Sequence, residues 1–155
     1  MSQFKYAKIE QVVTGIHELG FHQVVEAALG ADITLYHEAN EWKEKGLMTT
    51  SCCPAFVNMV RLHYPDLADC VSTTVSPMCA VSRLIKARDP EAVTVFIGPC
   101  IAKKSEVVDQ QIPGNADYVL TFSEIRAIMK AKGVQLEADD TSCLLYTSDA
   151  ADDLT

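Results

Sequence analysis

The chain is short of basic residues and of long apolar runs, and each shortage removes a class of function. Lys and Arg number 13 against 21 Asp and Glu, a formal net charge of −8, and no basic cluster exceeds Lys103-Lys104. A chain of that sign is a poor partner for a phosphate backbone, so no nucleic acid is expected. No apolar stretch reaches the roughly 18–20 residues of a membrane-spanning helix, and residues 1–30 hold no signal-peptide core. Gly 7 and Pro 6 leave no room for a collagen-like or linker composition. What is present is a 48% hydrophobic share, far too high for a disordered chain. Its 155 residues fit one domain able to bury about two thirds of its unfolded surface.

Six cysteines need an account: Cys52, Cys53, Cys70, Cys79, Cys100 and Cys143. A chain with an adequate apolar core and no secretory segment has no need of a disulfide framework. Adjacent Cys52 and Cys53 make a poor staple. Reduced thiols for metal or redox work fit better, and they place the chain in a reducing cytoplasm. The stretch Ser142–Thr155 carries neither helical nor strand periodicity and resembles translated adapter sequence. Residues 141–155 are therefore set aside as a non-native tail, Cys143 with them, and 1–140 are expected to be a piece of a longer domain.

Hydrophobic periodicity predicts the elements. Ile9, Val12, Val13, Ile16 and Leu19 mark an amphipathic helix stopped by Gly20. A second, short helix is expected through Val24, Val25, Ala28 and Leu29, ending at Gly30. A third follows from about Ile33 to Lys45, capped by Asp32 or Thr34 and closed by Gly46. Leu47–Thr50 reads as an extended piece, and Pro54 suits the first turn of a helix reaching about Tyr64. Another helix is expected over Met78–Ala87. Ala92–Ile97 and Tyr118–Leu120 read as strands, and Thr121–Glu124 as a capping box before a helix over Ile125–Lys132. Strands alternating with helices predict an α/β fold, a mostly parallel sheet flanked by helices.

Three features do not fit a bland core. Thr50-Ser51-Cys52-Cys53-Pro54 packs two thiols into a strand-to-helix turn, where exposed N–H groups and the helix dipole favour a thiolate. Gly98-Pro99-Cys100-Ile101-Ala102-Lys103-Lys104-Ser105-Glu106 puts a thiol just past the carboxyl end of a strand, the edge where ligands bind in open α/β sheets. On the third helix the apolar stripe is Leu35, Ala39 and Trp42; Glu38 falls within it and Glu41 at its border. Cys70 and Cys79 read as small core residues, Ser72-Thr73-Thr74 as a loop, and His17, His22, His37 and His63 show no ligand spacing. From the residues alone the inference stops at a thiol-ligated iron–sulfur or zinc site, since two thiols from separate loops do not decide the metal.

Taken together, Thr50–Pro54, Gly98–Glu106, Val75-Ser76-Pro77-Met78 and the upstream Gly30–Thr34 with Glu38-Ala39-Asn40-Glu41 resemble the catalytic domain of the [FeFe], or iron-only, hydrogenases. The resemblance spans roughly Ile9 to Lys132. It implies an H-cluster, a cubane [4Fe–4S] cluster joined through a cysteine sulfur to a two-iron subcluster, and the reaction 2H⁺ + 2e⁻ ⇌ H₂. It further implies Cys53 and Cys100 as two cubane ligands and Cys52 as the thiol that exchanges protons with the two-iron unit. Lys103 then faces a cyanide ligand with Glu106 beside it. Pro77, Met78 and Pro99 border the cofactor, while Glu38, Ser72 and Glu41 lead protons to the surface. The implied partners are ferredoxin or another electron carrier and the H-cluster maturation proteins.

Nothing after Cys100 matches the motif that supplies the family's other two cubane cysteines. Met78 and Gly98 stand where many members carry Gln and Met. These 155 residues alone are therefore expected not to assemble a working cluster. Two alternatives share the resemblance: an H₂-sensing protein and an iron–sulfur assembly protein of the hydrogenase-like kind. Zinc binding is a more distant one.

Overall fold

A computed structural model of the chain describes Phe4 and residues 7–136. In chain order the elements are α1 (Ile9–Glu18), α2 (Ala28–Lys45), α3 (Pro54–His63), a 3₁₀ helix (Pro65–Cys70), α4 (Pro77–Arg88), β1 (Val95–Gly98), α5 (Lys103–Val107), β2 (Tyr118–Thr121) and α6 (Phe122–Lys132). β1 and β2 pair in a small parallel sheet, as the alternation of elements predicts. The proposed tail, 141–155, lies outside the described residues.

The chain divides into two compact units. The first holds α1, α6 and the carboxyl-terminal halves of both strands. Its core is Phe4, Val12, Ile16, Ile125 and Met129, with Ile97, Leu120 and Phe122 packed on it. Phe4 and Phe122 meet edge to face at 6.1 Å. α1 follows its periodicity and gives way to Gly20 at φ +98°, a conformation side chains resist. α6 starts on the expected capping box: the Thr121 N–H donates to Glu124 Oε2 at 2.7 Å, and the Glu124 N–H returns a bond to Thr121 Oγ1 at 3.3 Å.

The second unit, Ala27–Phe96 with Cys100–Val119, carries α2 to α5. Its centre is the α2–α4 contact. Here the expected short helix over 24–29 does not form, and α2 runs unbroken from Ala28 through Gly30 to Lys45. Gly30 is not a stop but a point of close approach: a Cβ there would sit 2.1 Å from the Pro77 carbonyl oxygen. Asp32 and Thr34 lie inside the helix rather than capping it, and Thr34 Oγ1 donates to the Val75 carbonyl at 3.2 Å. The buried face of α2 is thus Gly30 and Thr34, while Leu35 and Trp42 are 66% and 58% exposed. Close backbone packing, not apolar burial, chose the face.

α4 begins with Ser76 as N-cap and Pro77 in its first turn and buries Met78 and Cys79 completely. Before α3, the expected extended piece contributes one parallel bridge, Thr49 to Val71, with the Thr49 N–H on the Cys70 carbonyl at 2.7 Å and the Ser72 N–H on the Thr49 carbonyl at 2.8 Å. That bridge sets the 49–53 turn beside the 71–76 turn. β1 starts at Val95 rather than Ala92. Thr94 instead gives its N–H and hydroxyl to Asp117 at 2.7 and 2.9 Å, and Lys86 pairs with the same carboxylate at 2.7 Å. Burial works upward on the Asp117 pKa, and these bonds hold it below its ordinary value.

Candidate functional site

Both thiols of the 50–54 motif lie where a helix starts. Cys53 is the N-cap of α3 with extended backbone, φ −109° and ψ 106°, and Pro54 opens the first turn. Cys52 precedes it, half-buried, and Cys100 lies after β1, also half-buried; all three thiols are free.

Glu38 reaches the 50–53 turn from the middle of α2. Its Oε1 accepts the Thr50 hydroxyl at 2.7 Å and the Ser51 N–H at 3.1 Å. The Thr50 oxygen accepts in turn from the Cys52 N–H at 3.3 Å. A carboxylate from a helix face is therefore held one residue from a thiol, and among the described residues no bond occupies its other oxygen. One turn further along α2, Glu41 closes on the second loop. It accepts from the Ser72 hydroxyl at 2.5 Å, the Thr73 N–H at 2.9 Å and the Thr73 hydroxyl at 3.0 Å, and pairs with Lys45 at 2.8 Å. Burial raises its pKa, but the bonds from Lys45, Ser72 and Thr73 outweigh it and bring the value down to about 2. The Ser51 hydroxyl donates to the Thr74 carbonyl, tying the two loops together.

Lys103 and Glu106 form the third group. Both are buried, at 7% and 6% exposure, and meet at 2.6 Å across one turn of α5. Lys103 Nζ also donates to the Cys52 carbonyl at 2.9 Å, and the Ser76 hydroxyl donates to Glu106 Oε1. Removing one partner of a buried pair like this costs about 3–5 kcal/mol, because it strands the other charge. A cavity of about 590 Å³ borders Ser51, Ser72, Ser76 and Glu106.

The structure brings Glu38 to the Cys52 turn, Glu41 to Ser72, and Lys103 with Glu106 to the Cys52 carbonyl. It does not join Glu38 to Ser72, or Glu38 to the Cys52 sulfur, by a hydrogen bond among the described residues. Pro77 and Met78 open α4, with Met78 fully buried, and Pro99 is exposed in the first unit. Thr50 and Ser76 entered the sequence analysis only as members of quoted motifs, and Thr73 and Thr74 only as part of a loop; none was given a role of its own. Beyond those motifs, the available signal was Ser76-Pro77, the cap-then-proline pattern of a helix start.

The sequence profile of the family described as "Iron only hydrogenase large subunit, C-terminal domain" matches residues 2–151. The chain belongs to this family. Iron hydrogenase 1 of Clostridium pasteurianum is 30% identical over 138 residues, covering 77% of this chain and 24% of that protein. The cytosolic Fe-S cluster assembly factor NAR1 of Eremothecium gossypii is 26% identical over 131 residues, covering 79% of this chain and 29% of that one. Among solved structures, a variant of apo [FeFe]-hydrogenase HydA1 from Chlamydomonas reinhardtii superposes with a TM-score of 0.72 at 30% identity, over 84% of this chain and 38% of that chain. The chain spans about a quarter of the length of these curated relatives. An iron-only hydrogenase domain implies an iron cofactor, and the donors here fit it only in part. A cubane needs four thiolates. The sequence resemblance implies two, Cys53 and Cys100, and among the described residues no three His, Cys, Asp or Glu side chains gather to hold a metal.

Proposed function

We propose that this chain forms part of a domain that interconverts protons and H₂, with Cys52 as the proton-carrying thiol and Glu38, Ser72 and Glu41 as its route to the surface. The placement of Glu38 carries this reading. A carboxylate on a helix face is held on the Thr50–Ser51 turn, one residue before the thiol in the chain, and its second oxygen makes no bond among the described residues. General acid–base transfer needs a positioned carboxylate within reach, directly or through one water, of the group it serves, whereas a scaffold that only holds a cluster has no use for an acid at that turn. Ser72 and Glu41 supply hydroxyl and carboxylate beyond it.

In the same reading Cys53 and Cys100 are two of the cubane thiolates. Lys103, with Glu106 beside it, would offer its ammonium to the anionic ligands of the two-iron unit when that unit is bound, and Pro77, Met78 and Pro99 would border it. Electrons come from ferredoxin or another carrier, and H-cluster maturation proteins deliver the two-iron unit. We place the chain in the cytoplasm, where neighbouring thiols stay reduced.

The test is made in the full-length protein, matured with its iron site and assayed for H₂ evolution from a reduced viologen. Cys52→Ala should lower the rate on the order of 10²–10⁴-fold with iron content unchanged, and Glu38→Gln should act in the same direction. Loss of iron with Cys52→Ala would make that thiol a ligand and end the role assigned to it. The similarity to NAR1 favours a second reading, an iron–sulfur assembly role. Under that reading no H₂ turnover is found, and Glu38→Gln leaves cluster delivery intact.

A further inference from the structure

Ser76 makes two bonds in opposite senses. Its oxygen accepts the Cys79 N–H at 3.5 Å, the N-cap bond of α4. Its own hydrogen goes to Glu106 Oε1. Glu106 Oε2 takes Lys103 Nζ at 2.6 Å, and the same ammonium reaches the Cys52 carbonyl at 2.9 Å. From the start of α4 to the Cys52–Cys53 peptide, donor and acceptor alternate without a break. Ser76, Lys103 and Glu106 are all at most 7% exposed, so solvent does not compete for these bonds.

A lysine ammonium has no fork geometry of its own and sits where its acceptors put it. Glu106 can put it in one place only if its carboxylate does not turn. The terminal torsion of Glu is broad and roughly two-fold, so an untethered carboxylate swings. The other contact to Oε1 among the described residues, Asn115 Nδ2, is long at 3.5 Å. The Ser76 hydroxyl is the close tether.

We propose that Ser76 is a positioning residue for the Cys52 turn: by holding the Glu106 carboxylate it fixes the Lys103 ammonium on the Cys52 carbonyl. This takes Cys52 and Lys103 as site residues from the proposed function, but its test involves no hydrogen chemistry, so either can fail without the other.

Cys52-Cys53 is the only Cys–Cys step in the sequence. A chain grown with cysteine labelled at the carbonyl carbon with ¹³C and at the amide with ¹⁵N therefore gives one carbonyl-to-amide correlation, the Cys52 carbonyl seen through the Cys53 amide. Lys103→Met marks where that carbonyl resonates without its donor. Ser76→Ala and Ser76→Gly should both move the signal toward the Lys103→Met position, Ser76→Thr should keep it at the wild-type position, and adding Ser76→Gly to Lys103→Met should move it no further. Glycine is tolerated as an N-cap and alanine is not. A shift in Ser76→Ala alone would assign Ser76 to capping only and overturn the proposal, as would a wild-type signal in Ser76→Gly. The amide signals of the other cysteines report folding, and where Ser76→Ala fails that check Ser76→Gly decides.

Discussion

Glu41, its side chain 13% exposed, is the most heavily bonded carboxylate of the candidate site. Burial is the largest single influence on its pKa and acts upward; Lys45, Ser72 and Thr73 together reverse it, from an ordinary 4.5 to about 2. A folded pKa below the unfolded one means that the unfolded chain binds the proton more tightly. The stabilisation Glu41 provides is therefore complete above pH 4.5 and disappears as the pH falls to about 2. Glu41→Gln removes charge-assisted bonds while keeping shape and should cost about 1–3 kcal/mol at neutral pH. In urea melts the gap between variant and wild type should close over that acid window; a gap unchanged down to pH 2 would show that the contribution of Glu41 does not depend on its charge. The two carboxylates were legible as polar interruptions of an apolar stripe. Of Glu41's partners, Ser72 was reached only through the family resemblance and Thr73 and Thr74 not at all, because the three lie 31 to 33 residues away in a segment with no periodicity.

At the scale of elements, the signals that proved readable were those in which one local bond decides the outcome. Pro54 in the first turn of α3 and the Thr121–Glu124 box at the start of α6 satisfy or remove N–H groups that every helix start leaves open, so the residue type alone locates them. α2 was misread for the converse reason. Glycine is a poor helix former, and local propensity breaks the chain at Gly30; the structure keeps it helical because only a residue without Cβ lets α2 pass over the Pro77 carbonyl. Propensity predicts that Gly30→Ala stabilises by about 1 kcal/mol. The packing predicts the opposite, since the contact at 2.1 Å is with backbone that cannot change rotamer. Gly30→Ala should lower stability by about 1–3 kcal/mol, read as a lower urea midpoint with an unchanged slope. A raised midpoint would mean that α2 and α4 do not approach this closely. The same contact explains why Leu35 and Trp42 are left outside: the helix is rotated to present Gly30 and Thr34 to α4, and the apolar stripe follows the rotation outward.

For the molecule as a whole the question is how many thiols one copy offers to iron. Five cysteines among the described residues are free. Cys79 has no exposure, and burial pushes its thiol pKa up, which keeps it a protonated core side chain rather than a ligand. Cys70 lies at the end of the 3₁₀ helix with its carbonyl in the Thr49 bridge. With Cys52 proposed for proton exchange, the family resemblance singles out only Cys53 and Cys100 among the described cysteines, against the four thiolates of a cubane. Anaerobic reconstitution of the 155-residue chain with iron and sulfide should therefore load fewer than one [4Fe–4S] cluster per chain. Because two copies together supply four such thiols, whatever cubane forms should travel with a two-chain species in size-exclusion chromatography. Cys53→Ala and Cys100→Ala should each abolish it, while Cys79→Ala leaves the iron content unchanged. One full cubane on a single chain would require other residues to complete the set and would overturn the ligand assignment, with the separation of duties between Cys52 and Cys53 as the first element to be revised.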